Sequence, residues 1–279
     1  MSEQVEPSPI FEKNRRAFLM RKLHSLSGVV PVGAFMLFHL WTNAKATQGQ
    51  EPFDAAVRDI SHLPFVSVIE FGAILLPLLF HTTYGIWIAL NGKPNIGKYT
   101  YSRNWMYSLQ RVSGLVAAVF IVLHLKDYWW PKMMGTMEPS QFYPKLCENM
   151  SATNHGVPLM ALWYVIGIAA CVFHFANGLW GFCFSWGITV SRRSQRMAAT
   201  LFGLVGLVVF FIGANTAIYF ATGQSVGDML GDAIPLLFPR SFDRTTSGVI
   251  ASLVAFGLLL FLRWLITGSM FRRSRIFRR

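Results

Sequence analysis

Charge is scarce in these 279 residues: Asp, Glu, Lys and Arg together make up 14% of the chain, against 53% hydrophobic residues. A soluble domain carries about 25% charge, so a water-soluble enzyme is excluded and an integral membrane protein is indicated. Cysteine is nearly as rare. Cys147, Cys171 and Cys183 are far apart, the last two within one apolar run, which excludes a disulfide framework and a cysteine-type metal site. No phosphate-cradling Gly-rich loop, nucleophile triad or metalloprotease motif occurs, and no stretch can build a nucleotide- or flavin-binding domain. The polar, basic segment Met1 to Lys22 lacks the apolar core and small-residue site of a cleavable leader.

What the chain has instead is long apolar runs. Six stand out, roughly Leu23 to Trp41, Leu63 to Leu90, Trp105 to Leu125, Pro158 to Val190, Met197 to Thr222 and Gly248 to Met270. Each can span about 30 Å of hydrocarbon as a helix rising about 1.5 Å per residue. The expected fold is an all-α transmembrane bundle, with 1–22 as N-terminal segment, 23–222 as a five-helix unit, 223–247 as an outer loop, 248–270 as a sixth helix and 271–279 as a basic tail.

The formal charge of +12 reads as topology rather than nucleic-acid binding. Segments 1–22, 91–104, 191–196 and 271–279 hold 16 Lys/Arg and 3 acids, whereas 42–62, 126–157 and 223–247 hold 7 Lys/Arg and 9 acids. The basic side is expected to be cytoplasmic, with both termini inside, and the arginine-rich tail to touch anionic lipid or a docked subunit.

The first four spans form two copies of one helix pair. HSLSG (His24 to Gly28) precedes His39 in the first span, and QRVSG (Gln110 to Gly114) precedes His124 in the third; the second and fourth share FHxxxGxW around His81 and His174. Counting along each helix puts His39 and His124 together toward the outer face, and His81 and His174 together toward the inner face. Two imidazoles facing each other at one depth suit bis-histidine haem ligation. Gly85 and Gly178, each four residues after a histidine, and Gly28, eleven before His39, supply room for close porphyrin approach; Gly114 is about 80° off that register. The alternative is four ordinary intramembrane histidines bonded to backbone. A zinc site fits poorly, since each pair offers only two ligands.

Few other polar groups lie within the spans. Arg111, with His24, Ser27 and Ser113, is expected at the inner depth, where it can pair with a haem propionate or snorkel to the interface. Glu70 falls at the outer depth with no basic residue of the spans beside it, so it is either a proton-handling group or a buried structural carboxyl. Asp59 and His62, just outside the second span, can continue a proton path outward or simply be solvated. Pro31 and Pro77 are expected to kink their helices.

The segments RKLHSLSGVVPVG (Arg21 to Gly33), YSRNWMYSLQRVSG (Tyr101 to Gly114), FHFANGLWGF (Phe173 to Phe182) and WGITVSRRSQR (Trp186 to Arg196) resemble the dihaem, b558-type cytochrome b membrane anchor of succinate:quinone oxidoreductases, which include succinate dehydrogenase and fumarate reductase. The resemblance covers about Phe18 to Phe220. It implies two haem b groups, a distal one on His39 and His124 and a proximal one on His81 and His174. It further implies a flavoprotein subunit carrying the succinate/fumarate active site, an iron-sulfur subunit docked on the cytoplasmic face, menaquinone reacting near the outer face of the bacterial cytoplasmic membrane, and a complex open to higher oligomerisation. Glu70, Asp59 and His62 lie on the side where that family handles quinone protons. The sixth stretch departs from the family's five spans. A dihaem cytochrome b of a hydrogenase, formate dehydrogenase or ascorbate-type reductase, and a proton-coupled transporter, are the competing readings.

Overall fold

The computed structural model describes residues 9–92 and 102–233; the sixth apolar stretch and the basic tail lie outside the described residues. Apart from one isolated bridge between Asn154 and Val157, the described residues are helical, with no strand. Among the described residues, five helices are long and apolar enough to cross a membrane: Asn14–Gln48, Val66–Asn91, Asn104–Met133, Leu159–Ser185 and Arg192–Thr222. The fourth, at 27 residues, is about 40 Å long and exceeds the hydrocarbon thickness. The protein is a multi-pass membrane protein. Its outward surface carries large apolar side chains such as Leu76, Leu90 and Val122, as expected where lipid is the solvent.

The first four spans surround one continuous cavity of about 770 Å³. The second helix leans on the first and third, the third on the fourth, and the first closes against the fourth. The fifth packs outside along the fourth, where small residues allow close approach. A Cβ on Gly206 would lie 2.8 Å from Cβ of Ala176, and one on Gly213 would lie 2.8 Å from Cγ2 of Ile168. Ser191 caps the start of the fifth helix, its Oγ accepting from the Ser194 amide at 3.0 Å, and Gly223 ends it at φ 71°.

Three spans contain a wide π-helical turn, each with a proline in it or just beyond it. The turns are Gly28–Gly33 with Pro31, Ile69–Leu75 before Pro77, and Leu125–Trp129 before Pro131. A proline ring cannot donate to the carbonyl four residues back and crowds it, so the turn widens. The kinks expected at Pro31 and Pro77 thus take the form of π turns, and that before Pro131 prolongs the third helix to Met133, eight residues beyond the apolar run ending at Leu125.

At the end of the bundle near His39 and His124, the amphipathic helices Gln50–Ser61 and Phe142–Ser151 lie over the spans. Phe53, Leu146, Met150 and Phe220 form a buried cluster there, with the Phe53 and Phe220 rings edge to face at 6.0 Å. The opposite, basic end is tied by Lys22 Nζ donating to the Ser185 carbonyl and by Trp186 Nε1 donating to Ser25 Oγ at 3.1 Å.

Candidate functional site

The cavity is lined by all four repeat-matched histidines, and they meet in two pairs. The ring centroids of His81 and His174 are 6.0 Å apart, at an interplanar angle of 86°. Those of His39 and His124 are 5.7 Å apart, at 78°. Because Gly28 lies against His81 and is eleven residues before His39, the two pairs are about 16 Å apart along the axis.

The inner pair is held by the repeat itself. His81 Nδ1 is 2.9 Å from the carbonyl of His24, and His174 Nδ1 is 3.0 Å from the carbonyl of Gln110. His24 and Gln110 open the two matching pentapeptides. A carbonyl only accepts, so Nδ1 carries the proton on both rings and Nε2 keeps its lone pair. The same two carbonyls also accept from Ser27 Oγ at 3.0 Å and Ser113 Oγ at 3.1 Å. Those hydroxyl protons are therefore spent on fixing the histidine anchors rather than offered to a propionate.

The glycines divide by role. A Cβ on Gly28 would lie 2.2 Å from Cε1 of His81, and one on Gly114 would lie 2.8 Å from Cε1 of His174, so only glycine leaves space for either ring. Gly114, off register with His124, is in register with the histidine of the facing helix. A Cβ on Gly85 would lie 2.9 Å from Nε2 of His24, and one on Gly178 would lie 3.5 Å from Nε2 of Gln110. These two also seat the repeat's first residues while lining the cavity. His24 stacks flat on His81, with centroids 4.2 Å apart at 6°, and its buried Nε2 has no partner among the described residues.

At the outer pair His124 Nδ1 is 3.2 Å from Tyr164 Oη. Asn43 Nδ2 is 3.4 Å from each ring nitrogen of His39 and donates to that residue's carbonyl at 2.8 Å. Arg111 also lines the cavity; it donates to Tyr107 Oη, lies over the Tyr107 ring at 4.2 Å, and keeps its Nε buried and unpartnered. Among the described residues it has no carboxylate partner.

Glu70 has one. Its Oε1 is 2.5 Å from Lys132 Nζ, and both groups are largely covered. The expectation of a carboxyl without a cation beside it is corrected: the third helix continues past the apolar run and carries Lys132 back to the depth of Glu70. Trp129, one turn before Lys132, lines the same cavity with a buried indole N–H that has no acceptor among the described residues. Asp59 and His62 are exposed at the end of Gln50–Ser61 and do not line the cavity, so the structure does not join them to Glu70. Lys132, Trp129 and Tyr164 escaped sequence reasoning, the first two because they fall beyond the apolar run and the third because it belongs to no repeated motif.

The residues fit a haem at each pair. Metal–imidazole bonds of about 2 Å, with a little over 1 Å from nitrogen to ring centre, put the centroids of two collinear ligands about 6 Å apart. Among the described residues no hydrogen bond occupies Nε2 of His81, His174 or His124, while Nε2 of His39 has only the long 3.4 Å contact with Asn43 Nδ2.

Comparison with known proteins gives the family. The succinate dehydrogenase/fumarate reductase transmembrane subunit family matches residues 91–214. The chain is also 37% identical over 205 residues to the succinate dehydrogenase cytochrome b558 subunit of Bacillus subtilis (strain 168), an alignment covering 74% of this chain and 98% of that protein. The chain belongs to this family. No solved structure matches it. As a succinate dehydrogenase/fumarate reductase transmembrane subunit, the chain carries the two histidine pairs on the four spans that repeat.

Proposed function

We propose that the chain is the dihaem membrane anchor of its complex, passing electrons between an iron-sulfur subunit on the basic, cytoplasmic side and menaquinone near the far side. The observation that carries this reading is the two histidine pairs in one cavity, with the inner rings fixed so that Nε2 is free. The relative's name, cytochrome b558, supports haem b. Each haem would supply a one-electron carrier, held by His81 with His174 at the inner level and by His39 with His124 at the outer level. Arg111 Nε is suited to a propionate of the inner group.

Docking on the basic side is supported by the turn Trp186 to Ser191. Ile188 is 62% and Val190 82% exposed there, beside Arg192 and Arg193. Apolar side chains at an aqueous end mark an interface, in this reading with the iron-sulfur subunit, which a flavoprotein completes. At the outer end, the Glu70–Lys132 pair holds a proton-exchanging carboxyl beside a cation, and Trp129 offers an indole N–H to a quinone oxygen. Asp59 and His62, exposed nearby, are the proposed continuation to the outer water.

Purification through a tag on this chain tests the proposal. A flavoprotein and an iron-sulfur protein should co-purify, and the complex should reduce menaquinone with succinate. In Glu70→Gln, succinate should still reduce the haems while quinone reduction falls roughly 100-fold. Co-purification with a hydrogenase or formate dehydrogenase, or a chain without redox partners, would overturn the reading.

A further inference from the structure

The two histidine pairs differ in what accepts the Nδ1 proton. At the inner pair both acceptors are backbone carbonyls, at 2.9 and 3.0 Å, built into the helices. At the outer pair the acceptor of His124 is a side chain, Tyr164 Oη, at 3.2 Å. Tyr164 is buried, with its ring edge to face against Phe120 at 5.1 Å. Tyr128, also buried, stands beside the same ligand, its ring centroid 5.4 Å from that of His124, and its hydroxyl accepts from Asn149 Nδ2 at 3.0 Å. Asn149 belongs to the covering helix Phe142–Ser151, so the end cap of the bundle is bonded to a neighbour of the outer ligand ring.

We infer that Tyr164 is a positioning residue that sets the electron-donating strength of His124, and through it the reduction potential of the outer haem. This rests on the haem reading given above. With Nε2 of His124 on the iron, Nδ1 would carry the proton and donate, so Tyr164 Oη would accept. An acceptor at Nδ1 makes the imidazole more basic at Nε2, which favours the ferric state. A phenol oxygen at longer distance does this less strongly than an amide carbonyl, and unlike a carbonyl it can be removed by substitution.

Potentiometric titration of the purified holo-complex, wild type beside Y164F and Y164L, tests this, with the outer haem identified as the one lost in His124→Leu. In Y164F the outer midpoint should move positive by about tenfold in the reduction equilibrium, or ~59 mV for one electron, with the inner midpoint in place and both haems bound. Y164L, which also lacks the acceptor, should shift it the same way and serves if Y164F fails to retain the outer haem. Both haems present and the outer midpoint unmoved in Y164F, or unmoved in Y164L when Y164F loses the haem, would overturn the role of Tyr164 alone. A wild-type complex without haem would overturn the haem reading as well.

Discussion

At Gly28 one methyl group decides whether His81 keeps its place. The Cβ of an alanine there would be 2.2 Å from Cε1 of His81, and the ring has little freedom to yield while its Nδ1 is bonded to the His24 carbonyl and its face is stacked on His24. Gly28→Ala should therefore cost the inner haem and spare the outer one. Gly178→Ala, whose methyl would meet only Nε2 of Gln110 at 3.5 Å, an ordinary contact, should keep both. Haem quantitation on the two variants checks this. Equal losses in both would contradict the assignment of Gly28 to the ring of His81. The contrast shows why residue spacing alone under-read the glycines: two that look equivalent in FHxxxGxW and HSLSG are set apart by what stands on the facing helix.

Among the elements, the fourth and fifth helices depend most on small residues. Gly206 and Gly213 are seven apart and turn the same stripe of the fifth helix toward Ala176 and Ile168. Gly213→Leu should force these helices apart and lower the melting temperature of the assembled complex by several degrees, as a loss of about 1–3 kcal/mol from overpacking would; an unchanged melting curve would contradict the packing. The five spans were legible because each is an apolar run of sufficient length, and the joint depth of the histidines because helical rise is constant. Less could be read where the helix outruns its apolar stretch: Lys126 and Asp127 look like loop charges, yet the helix continues to Met133 and delivers Lys132 to Glu70. The anchors of the inner histidines were hidden for another reason, since they are backbone carbonyls of His24 and Gln110, and no side-chain motif reports a carbonyl. The covering helices Gln50–Ser61 and Phe142–Ser151 are amphipathic segments of ordinary polarity, and only their packing on the bundle distinguishes them from loops.

For the molecule as a whole, the consequence of two pairs about 16 Å apart along the axis is vectorial. On the proposed route, electrons that enter at the basic side and leave to quinone at the far side would cross much of the membrane. Full transit of one charge is worth about 2.3 kcal/mol per 100 mV. A potential negative inside then assists quinone reduction and opposes quinol oxidation. Collapsing it in sealed vesicles should slow succinate-dependent menaquinone reduction, and an unchanged rate would contradict an outer quinone site. All of this stands on the histidine pairs holding two haems. The most direct measurement is pyridine haemochrome quantitation with reduced-minus-oxidised spectra on the purified complex, wild type beside single substitutions of His39, His81, His124 and His174. The account predicts two b haems per chain, one removed by changing His39 or His124 and the other by changing His81 or His174. No haem, or losses that do not sort into those pairs, would contradict it.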